Sequence, residues 1–235
     1  KSMDNAARTR QRVLAIFLPI AAVLYISAEA LSPKGTDQVA TDTATALKLL
    51  AIAAKNPTQI YVAGTCAVLG LGALAVSYAA IATLTRGRGS ALATVAALIG
   101  GIGAFCGAII EVLVFPNLAA AATAHTTRGA AAQFLVTTFN SGFGHGFEYA
   151  YFIGIYLAPL LMGVALWRSR AVPRWLAVLF FAGLEVAQQQ ISSGPVVVLY
   201  MLPFAAAMVL LAARVWPAAA LPASQPHLEP AGVPV

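Results

Sequence analysis

Residues 90–115, SALATVAALIGGIGAFCGAIIEVLVF, form an apolar run with one charged side chain, Glu111. A helix needs about 20 such residues to cross the hydrocarbon core of a bilayer, which is about 30 Å thick. Five similar runs lie at 13–32, 59–85, 143–168, 173–193 and 195–216. None shows the strict alternation and closely spaced turns of barrel strands. The sequence therefore predicts an all-α fold, an integral membrane bundle of six transmembrane helices.

The composition indicates the same class of protein. Of the 235 residues, 60% are hydrophobic and 9% are charged, which is far from the usual composition of soluble domains. Residues 1–216 are predicted to be the transmembrane domain. Residues 217–235, PAAALPASQPHLEPAGVPV, are rich in Pro and Ala and cannot build a core. They are predicted to be a flexible cytoplasmic tail.

The basic residues fall into two sets, one for each side of the membrane. One side is predicted to hold ten of them: Lys1, Arg8, Arg10, Arg12, Arg86, Arg88, Arg168, Arg170, Arg174 and Arg214. The other holds Lys34, Lys48, Lys55 and Arg128. Short cytoplasmic loops retain Lys and Arg, so both termini are expected to be cytoplasmic, in a multi-pass protein of a bacterial inner (plasma) membrane. The net charge of +6 then reflects topology, and no nucleic-acid partner is expected.

Two connections on the outer side are long enough to contain short helices. The first, residues 36–55, places five apolar side chains near one helical face: Val39, Ala46, Leu47, Leu50 and Ala54. The second starts at Pro116, which is expected to end the third span, and runs to Asn140 and Ser141, which can cap the next helix. These patterns predict short amphipathic helices that cap the outer side of the bundle.

Four glutamates interrupt the apolar runs: Glu29, Glu111, Glu148 and Glu185. An ionisable side chain inside a bilayer costs on the order of 2.5–3.5 kcal/mol even on insertion scales, so these residues are candidates for function. Counted at about 1.5 Å per helical residue, all four fall in the outer half of the membrane. They are predicted to line one polar pocket, with Gln188 and Gln189 one turn above Glu185.

A structural role remains an alternative for each glutamate. Glu29 and Glu111 lie near enough to the interface to reach water. Glu148 can be stabilised by the N-terminus of its own helix. Glu185 can hydrogen-bond to a neighbouring helix.

Residues 143–152, FGHGFEYAYF, carry the densest chemistry of the chain. His145 and Glu148 are three positions apart and share a helical face. Six aromatic rings occupy the first turns of this helix: Phe143, Phe147, Tyr149, Tyr151, Phe152 and Tyr156. Such a stripe is commonly core packing, but beside an acid it also predicts a substrate-binding surface that can stabilise a cation.

Three kinds of chemistry fit this pocket. A buried carboxylic acid can donate a proton to an alkene or epoxide. The His145-x-x-Glu148 pair reverses the Glu-x-x-His spacing of carboxylate metal sites, but one deep His and no second motif argue against a metal. Buried acids can also bind and release protons during transport. No Lys lies within a span, so a Schiff-base lysine has no candidate, and neither a cofactor nor a metal is predicted.

Residues 161–185, LMGVALWRSRAVPRWLAVLFFAGLE, join two apolar helices through a short basic turn that contains Pro173 and Arg174. This pattern resembles a bacterial family of small six-helix membrane proteins of unknown function. That resemblance implies the six-helix fold and no particular activity. The size, helix count and buried acids also resemble the integral-membrane terpene cyclases. This second resemblance implies a buried carboxylate as the initiating acid. No local motif allows the roles of that family's residues to be assigned to single positions of this chain.

The sequence as a whole predicts a terpene cyclase-like membrane enzyme that performs acid-initiated cyclisation of a lipophilic isoprenoid. Glu185 or Glu148 is the predicted proton donor, with His145 as partner or terminal base and with Glu111 and Glu29 as further acids. The expected partners are a lipophilic small molecule and the bilayer. A small transporter or ligand-binding protein and an accessory subunit of a membrane complex remain alternatives.

Overall fold

The computed structural model describes residues 2–36, 40–123, 127–188 and 196–218, and within these ranges all regular structure is helical. The eight helices are α1 (Ser2–Leu31), α2 (Thr43–Lys55), α3 (Pro57–Ala82), α4 (Ser90–Thr123), α5 (Arg128–Phe139), α6 (Gly142–Ser169), α7 (Arg174–Gln188) and α8 (Val197–Ala218). Five helices contain a stretch long and apolar enough to cross a membrane: α1, α3, α4, α6 and α8. The all-α prediction is confirmed, and these five helices fit a multi-pass membrane protein.

The predicted fifth span corresponds to α7 only in part. This helix has 15 residues, which cover about 22 Å at about 1.5 Å per residue. Residues 189–193 of the predicted span lie outside the described ranges. Six crossings therefore stay a prediction.

Cation–π contacts identify one end of the bundle. The Arg12 guanidinium lies 5.8 Å from the centroid of the Trp216 ring, which joins the start of α1 to the end of α8. The Arg174 guanidinium lies 5.2 Å from the centroid of the Trp167 ring, which joins the end of α6 to the start of α7. We call this side the basic end and the opposite side the cap end. The contacts agree with the predicted grouping of basic residues on one side.

Glycines of α4 allow its neighbours to approach the backbone closely. A Cβ atom on Gly103 would clash with the Cα of Gly154, so α4 and α6 cross in direct backbone contact at this pair. Gly100 accommodates the ring of Tyr78 from α3, and Gly107 accommodates the ring of Tyr151 from α6. The glycine run at 100–103 therefore allows close helix packing at two of its positions, Gly100 and Gly103.

The helix α4 does not end at Pro116, so the predicted end of the third span at residue 115 is wrong. The helix continues to Thr123. The side-chain amide of Asn117 donates to the Leu113 carbonyl at 2.7 Å, next to the backbone bond that proline cannot make. Leu118 is 2% exposed, and burial of apolar surface, at about 25 cal/mol per Å², offsets the cost of the proline.

A second apolar core lies at the cap end. It is formed by α2, α5 and residues 116–123 of α4, which we call the cap. Its buried residues include Ala46, Leu49, Leu50, Ala53, Leu118, Ala119, Ala131, Ala132 and Leu135. The side-chain amide of Asn140 donates to the Thr41 carbonyl at 3.0 Å and joins the end of α5 to the segment before α2. Two short helices are therefore present at the cap end, as predicted, while their place on the outer side of the membrane stays a prediction.

The predicted face of α2 is confirmed at Ala46 and Leu50, which are buried, and is wrong at two other positions. Leu49 and Ala53 are buried, whereas Leu47 and Ala54 are exposed. Val39 lies outside the described residues. The helix begins at Thr43, after its N-cap Asp42, and the neighbours α4 and α5 determine which face is covered.

The predicted N-cap of α6 is also confirmed. The Ser141 hydroxyl accepts a hydrogen bond from the Gly144 backbone N–H at 3.0 Å, which satisfies one of the free donors at the start of a helix. Both cysteines, Cys66 and Cys106, are free.

We expect Gly103→Ala to lower the free energy of unfolding by about 1–3 kcal/mol, because the added methyl group forces α4 and α6 apart. Gly101→Ala is the matched control on the same helix, since a Cβ at Gly101 meets nothing within 4 Å. Alanine is the better helix former, so the control should be neutral or stabilised by up to about 1 kcal/mol. Thermal unfolding of the two variants in one detergent measures the difference. Equal stability would contradict the backbone contact.

The cap is expected to loosen in acid through Asp42. The Asp42 carboxylate accepts from the Thr45 backbone N–H at 2.9 Å and from the Thr45 hydroxyl at 2.8 Å, and these two hydrogen bonds lower the pKa of Asp42. Because the folded-state pKa lies below the unfolded value, the stabilisation is complete above about pH 4. It is lost as the pH falls through the folded-state pKa.

Hydrogen exchange of the α2 amides measures this loosening. Asp42→Asn is the control, because Asn also caps helices but does not titrate. At pH 3 the wild-type chain should lose more protection than the variant, relative to neutral pH. The same acid response in both proteins would show that Asp42 is not the titrating group.

Candidate functional site

Two of the four glutamates lie together inside the bundle near the cap end. Glu29 is close to the end of α1 and Glu111 lies on α4, and the two carboxyl groups are near enough to interact electrostatically. The Glu111 Oε2 atom is buried and has no hydrogen-bond partner among the described residues. A buried polar atom without a partner is uncommon in folded proteins and calls for an explanation.

Two tyrosines complete this group. Tyr25 lies one turn before Glu29 on α1, and its hydroxyl is hydrogen-bonded to the hydroxyl of Tyr151 on α6. Both tyrosines lie within electrostatic range of Glu29 and Glu111. We call Tyr25, Glu29, Glu111 and Tyr151 the carboxyl–tyrosine cluster. It brings together three transmembrane helices, α1, α4 and α6.

Close packing fixes the two tyrosines of the cluster. The Gly107 backbone of α4 accommodates the Tyr151 ring, and Gly70 of α3 lies against the backbone of Tyr25. The Tyr25 ring also meets the Phe204 ring of α8 edge-on, with centroids 6.3 Å apart and an interplanar angle of 78°. Such edge-to-face pairs are a favourable aromatic geometry. The hydroxyl groups are therefore held by the backbone and by a neighbouring ring.

Apolar residues lie on both sides of the cluster along the helix axes. Phe115 lies one turn after Glu111 on α4, contacts Gly64 of α3 and packs against the core of the cap. Toward the basic end, the neighbouring core residues are apolar: Leu18, Ala21, Ala22, Leu71 and Leu74. Charges in such a site interact strongly, because little water screens them.

The third glutamate, Glu185, belongs to a separate polar pair. Its Oε1 atom and the Tyr78 hydroxyl are both buried without a hydrogen-bond partner in the described part of the chain, and Glu185 acts electrostatically on Tyr78. Glu185 lies eleven residues from Arg174, or about 16 Å along α7, near the middle of a core about 30 Å thick. Tyr78 contacts α4 at Gly100, which is about 10 Å along that helix from Gly107.

The fourth glutamate, Glu148, lies on the surface with His145. The His145 Nδ1 and Glu148 Oε2 atoms are 3.5 Å apart, and the two side chains are 47% and 33% exposed. The predicted contact between the two residues is present. The structure does not bring this pair into one pocket with the carboxyl–tyrosine cluster.

The six predicted aromatic residues divide between the interior and the surface of α6. Tyr151 points into the cluster, and Phe147 is half-buried. The other four rings are exposed: Phe143, Tyr149, Phe152 and Tyr156. Rings of α6 pair along the helix. The centroids of Phe143 and the half-buried Phe147 are 4.5 Å apart, and Phe152 is stacked on Tyr156 with centroids 6.3 Å apart. Tyr and Phe rings on such a face are typical of contact with lipid or with another protein.

The two predicted glutamines cannot be placed with the site. The backbone of Gln188 ends α7, and Gln189 lies outside the described residues. Conversely, sequence reasoning did not identify Tyr25 or Tyr78. The spacing of Tyr25 and Glu29, one helical turn apart in an apolar run, was a usable signal for Tyr25. Tyr78 has only the apolar residues Leu74 and Ala82 one turn away on its helix, and these do not indicate a site.

No protein-family model, curated protein or solved structure matches this chain. The resemblances to the six-helix bacterial family and to the terpene cyclases therefore stay predictions. Within the described ranges, no three His, Cys, Asp or Glu side chains gather into a metal-binding group. The functional reading consequently depends on the geometry of the carboxyl–tyrosine cluster and of the Tyr78–Glu185 pair.

The two buried tyrosines should respond differently to loss of the hydroxyl. Tyr151→Phe removes a hydrogen bond with Tyr25 and should lower the free energy of unfolding by about 1 kcal/mol. Tyr78→Phe removes a hydroxyl that has no partner among the described residues, so stability should be unchanged or should rise. Thermal unfolding in detergent compares them. A larger loss for Tyr78→Phe would show that its hydroxyl has a partner.

Proposed function

We propose that this chain is a membrane-embedded enzyme that protonates a lipophilic isoprenoid and cyclises it, with Glu111 as the acid. The observation that carries the proposal is the Glu111 carboxyl group, whose Oε2 atom is buried inside the bundle. One of its oxygens has no partner among the described residues, and it interacts electrostatically with a second carboxyl group, Glu29. Glu111 therefore replaces Glu185 and Glu148 as the favoured donor.

The pair of carboxyl groups supports a shared proton. Two neighbouring carboxyl groups can share one proton, which avoids the repulsion between two negative charges. Enzymes use such pairs as proton donors and acceptors. Glu111 donates in this proposal, and Glu29 is its ionised partner. The hydrogen-bonded hydroxyls of Tyr25 and Tyr151 stabilise the carboxylate that Glu111 becomes.

The reaction is an isomerisation in which the acid is recovered. Transfer of the Glu111 proton to an alkene or epoxide of the substrate produces a carbocation. The rings of Tyr25, Tyr151 and Phe204 can stabilise that cation through their faces. The π electrons of a second double bond close the ring, and loss of one proton from carbon to the Glu111 carboxylate regenerates the acid.

Proton-coupled transport is the second candidate, and one observation favours it. The Tyr78–Glu185 pair lies deeper in the bundle than the carboxyl–tyrosine cluster, by about 10 Å along α4. Proton-binding groups at two successive depths are what a proton pathway requires. In this reading, Glu29 and Glu111 load the proton at the cap end and Glu185 accepts it near the middle of the membrane.

We also propose six crossings with both termini in the cytoplasm of a bacterial cell. The Arg12–Trp216 contact supports an even number of crossings, because it brings the start of α1 and the end of α8 to the same end. In this arrangement α7 belongs to the fifth crossing. The arginines at the basic end are typical of the cytoplasmic side.

Glu111→Gln tests the proposed acid. The variant keeps the shape of the side chain but cannot donate a proton, so turnover should fall by about 10²- to 10⁴-fold. The purified full chain in lipid nanodiscs is incubated with prenylated alkenes and with their epoxides. Products of unchanged mass and altered chromatographic retention are quantified.

Matched variants separate the proposed roles. Glu148→Gln removes an exposed carboxyl group and should leave turnover within about threefold of the wild type, and Glu29→Gln should lower it. Full turnover in Glu111→Gln would rule out this acid. Wild-type chain that forms no isomer but carries a proton current abolished in Glu111→Gln and Glu185→Gln would establish the transport reading instead.

A further inference from the structure

An apolar groove runs between α6 and α7 near the basic end. Its volume is about 360 Å³, within the range of about 300–1,000 Å³ that is usual for ligand pockets. Leu160, Gly163, Val164 and Trp167 line it on α6. Ala177, Val178 and Phe181 line it on α7. The groove lies far from the carboxyl–tyrosine cluster, at the other end of α6, and the proposed chemistry does not use it.

The shape of the groove fits a single hydrocarbon chain. Its α6 wall extends from Leu160 to Trp167, or about 10 Å along the helix. It is open on one side, because Val164 and Val178 in its walls are 40% and 50% exposed. Gly163 forms part of the floor of the groove, and its lack of a side chain leaves the groove deep. A Cβ at this position would press on the Cβ of Phe181. An open apolar channel on a membrane-spanning surface faces the acyl chains of lipids.

Positive charge surrounds one mouth of the groove. Arg168 follows Trp167 directly and Arg170 comes two residues later. Arg174 begins α7, and its guanidinium lies over the Trp167 ring at 5.2 Å from the centroid. All three arginines are exposed, and among the described residues no ion pair joins them to a carboxylate. Arginine binds phosphate in a bidentate geometry. Trp rings at this level are typical of the membrane interface, where lipid phosphates lie.

We propose that the α6–α7 groove binds one phospholipid with an anionic headgroup. One acyl chain lies against Val164 and Val178, and the phosphate is held by Arg174 and Arg168. The anionic headgroup supplies the counter-charge that the described residues do not supply at this end. Basic pockets between transmembrane helices recognise anionic lipids through the same combination of charge and apolar contact.

The lipid should also join α7 to the rest of the bundle. The helix α7 is the shortest of the helices that pack in the main core, with 15 residues, and one wall of the groove is its own surface. A chain lying in the groove contacts both helices at once. Bound lipid therefore stabilises the folded protein by mass action, since the unfolded chain offers no such groove.

The experiment uses the purified, delipidated full chain in detergent. Phosphatidylglycerol or phosphatidylcholine, with identical acyl chains, is titrated while native mass spectrometry counts the bound lipids and thermal unfolding is followed. We expect one phosphatidylglycerol per chain, bound about 25-fold more tightly than phosphatidylcholine, at about fivefold per arginine, with a raised midpoint of unfolding. Equal binding of the two lipids, or no saturable binding, overturns the proposal.

Two pairs of variants distinguish the contacts. Val164→Trp fills the groove and should abolish saturable binding of both lipids, whereas Val209→Trp places the same ring on an exposed position of α8 and should bind as the wild type does. The double variant Arg168→Gln and Arg174→Gln should weaken the binding of phosphatidylglycerol more than that of phosphatidylcholine, so that the preference for phosphatidylglycerol is lost while both lipids still bind in the groove. Arg8→Gln with Arg10→Gln, near the start of α1, is its control, because α1 packs on α3 and α8 and carries arginines away from the groove.

Outcomes in these variants decide between the proposal and its competitors. If both arginine pairs reduce the preference equally, general surface charge and not a site attracts the lipid, and the proposal fails. If wild-type chain is dimeric in detergent and Val164→Trp makes it monomeric, the groove holds a second copy and the proposal also fails. Neither result depends on the acid chemistry of Glu111.

Discussion

The contact between Gly103 and Gly154 is the constraint on which the arrangement of the cluster depends. Because neither residue has a side chain, α4 and α6 touch through their backbones at this point. Gly154 is three residues from Tyr151, and Gly103 is four residues from Gly107, so the same contact seats the Tyr151 ring on the Gly107 backbone. Tyr151 then reaches Tyr25 of α1 and lies close to Glu111. One crossing without side chains thus places polar groups from three helices together.

The cluster shows how a membrane bundle tolerates acids. Isolated carboxyl groups are costly away from water, yet Glu29 and Glu111 lie in a group in which two tyrosine hydroxyls provide polar neighbours. The cap covers this group through Phe115, which packs between Gly64 and the second core. Within the described ranges, the remaining mismatch in this group is the Glu111 Oε2 atom, which has no hydrogen-bond partner there. Local cost of this kind is characteristic of sites that bind or react.

Periodicity and composition were sufficient to predict the helical membrane fold, the two short helices of the cap and the Ser141 N-cap. These features depend on local patterns of apolar residues and on capping chemistry, which a sequence displays directly. The end of α4 was not predictable in the same way. Pro116 is a helix-ending signal by itself, and only the burial of Leu118 and Ala119 against α2 and α5 explains why the helix continues.

The candidate site was predictable only in its residue types. Depth along each helix correctly indicated that Glu29 and Glu111 lie near one end, but depth carries no information on the direction in which a side chain points around its helix. Glu148 and His145 share the depth of the cluster and face outward, whereas Tyr151, three residues after Glu148, faces inward. The orientation of α6 about its own axis decides which of these side chains faces the cluster. The Gly103–Gly154 contact, between two distant parts of the chain, determines that orientation.

Because α4 is continuous through Pro116, it connects the cap to the main bundle as one rigid helix. The helix belongs to the main bundle at Gly103 and to the cap at Leu118. A displacement of the cap would therefore tilt α4, with the tight crossing at Gly103 as the pivot. Glu111 lies eight residues from Gly103, and Leu118 lies fifteen residues from it. At about 1.5 Å per residue, these two distances along the helix are roughly 12 and 22 Å. Any rocking of α4 by the cap would therefore move the Glu111 backbone about half as far as Leu118, relative to Glu29.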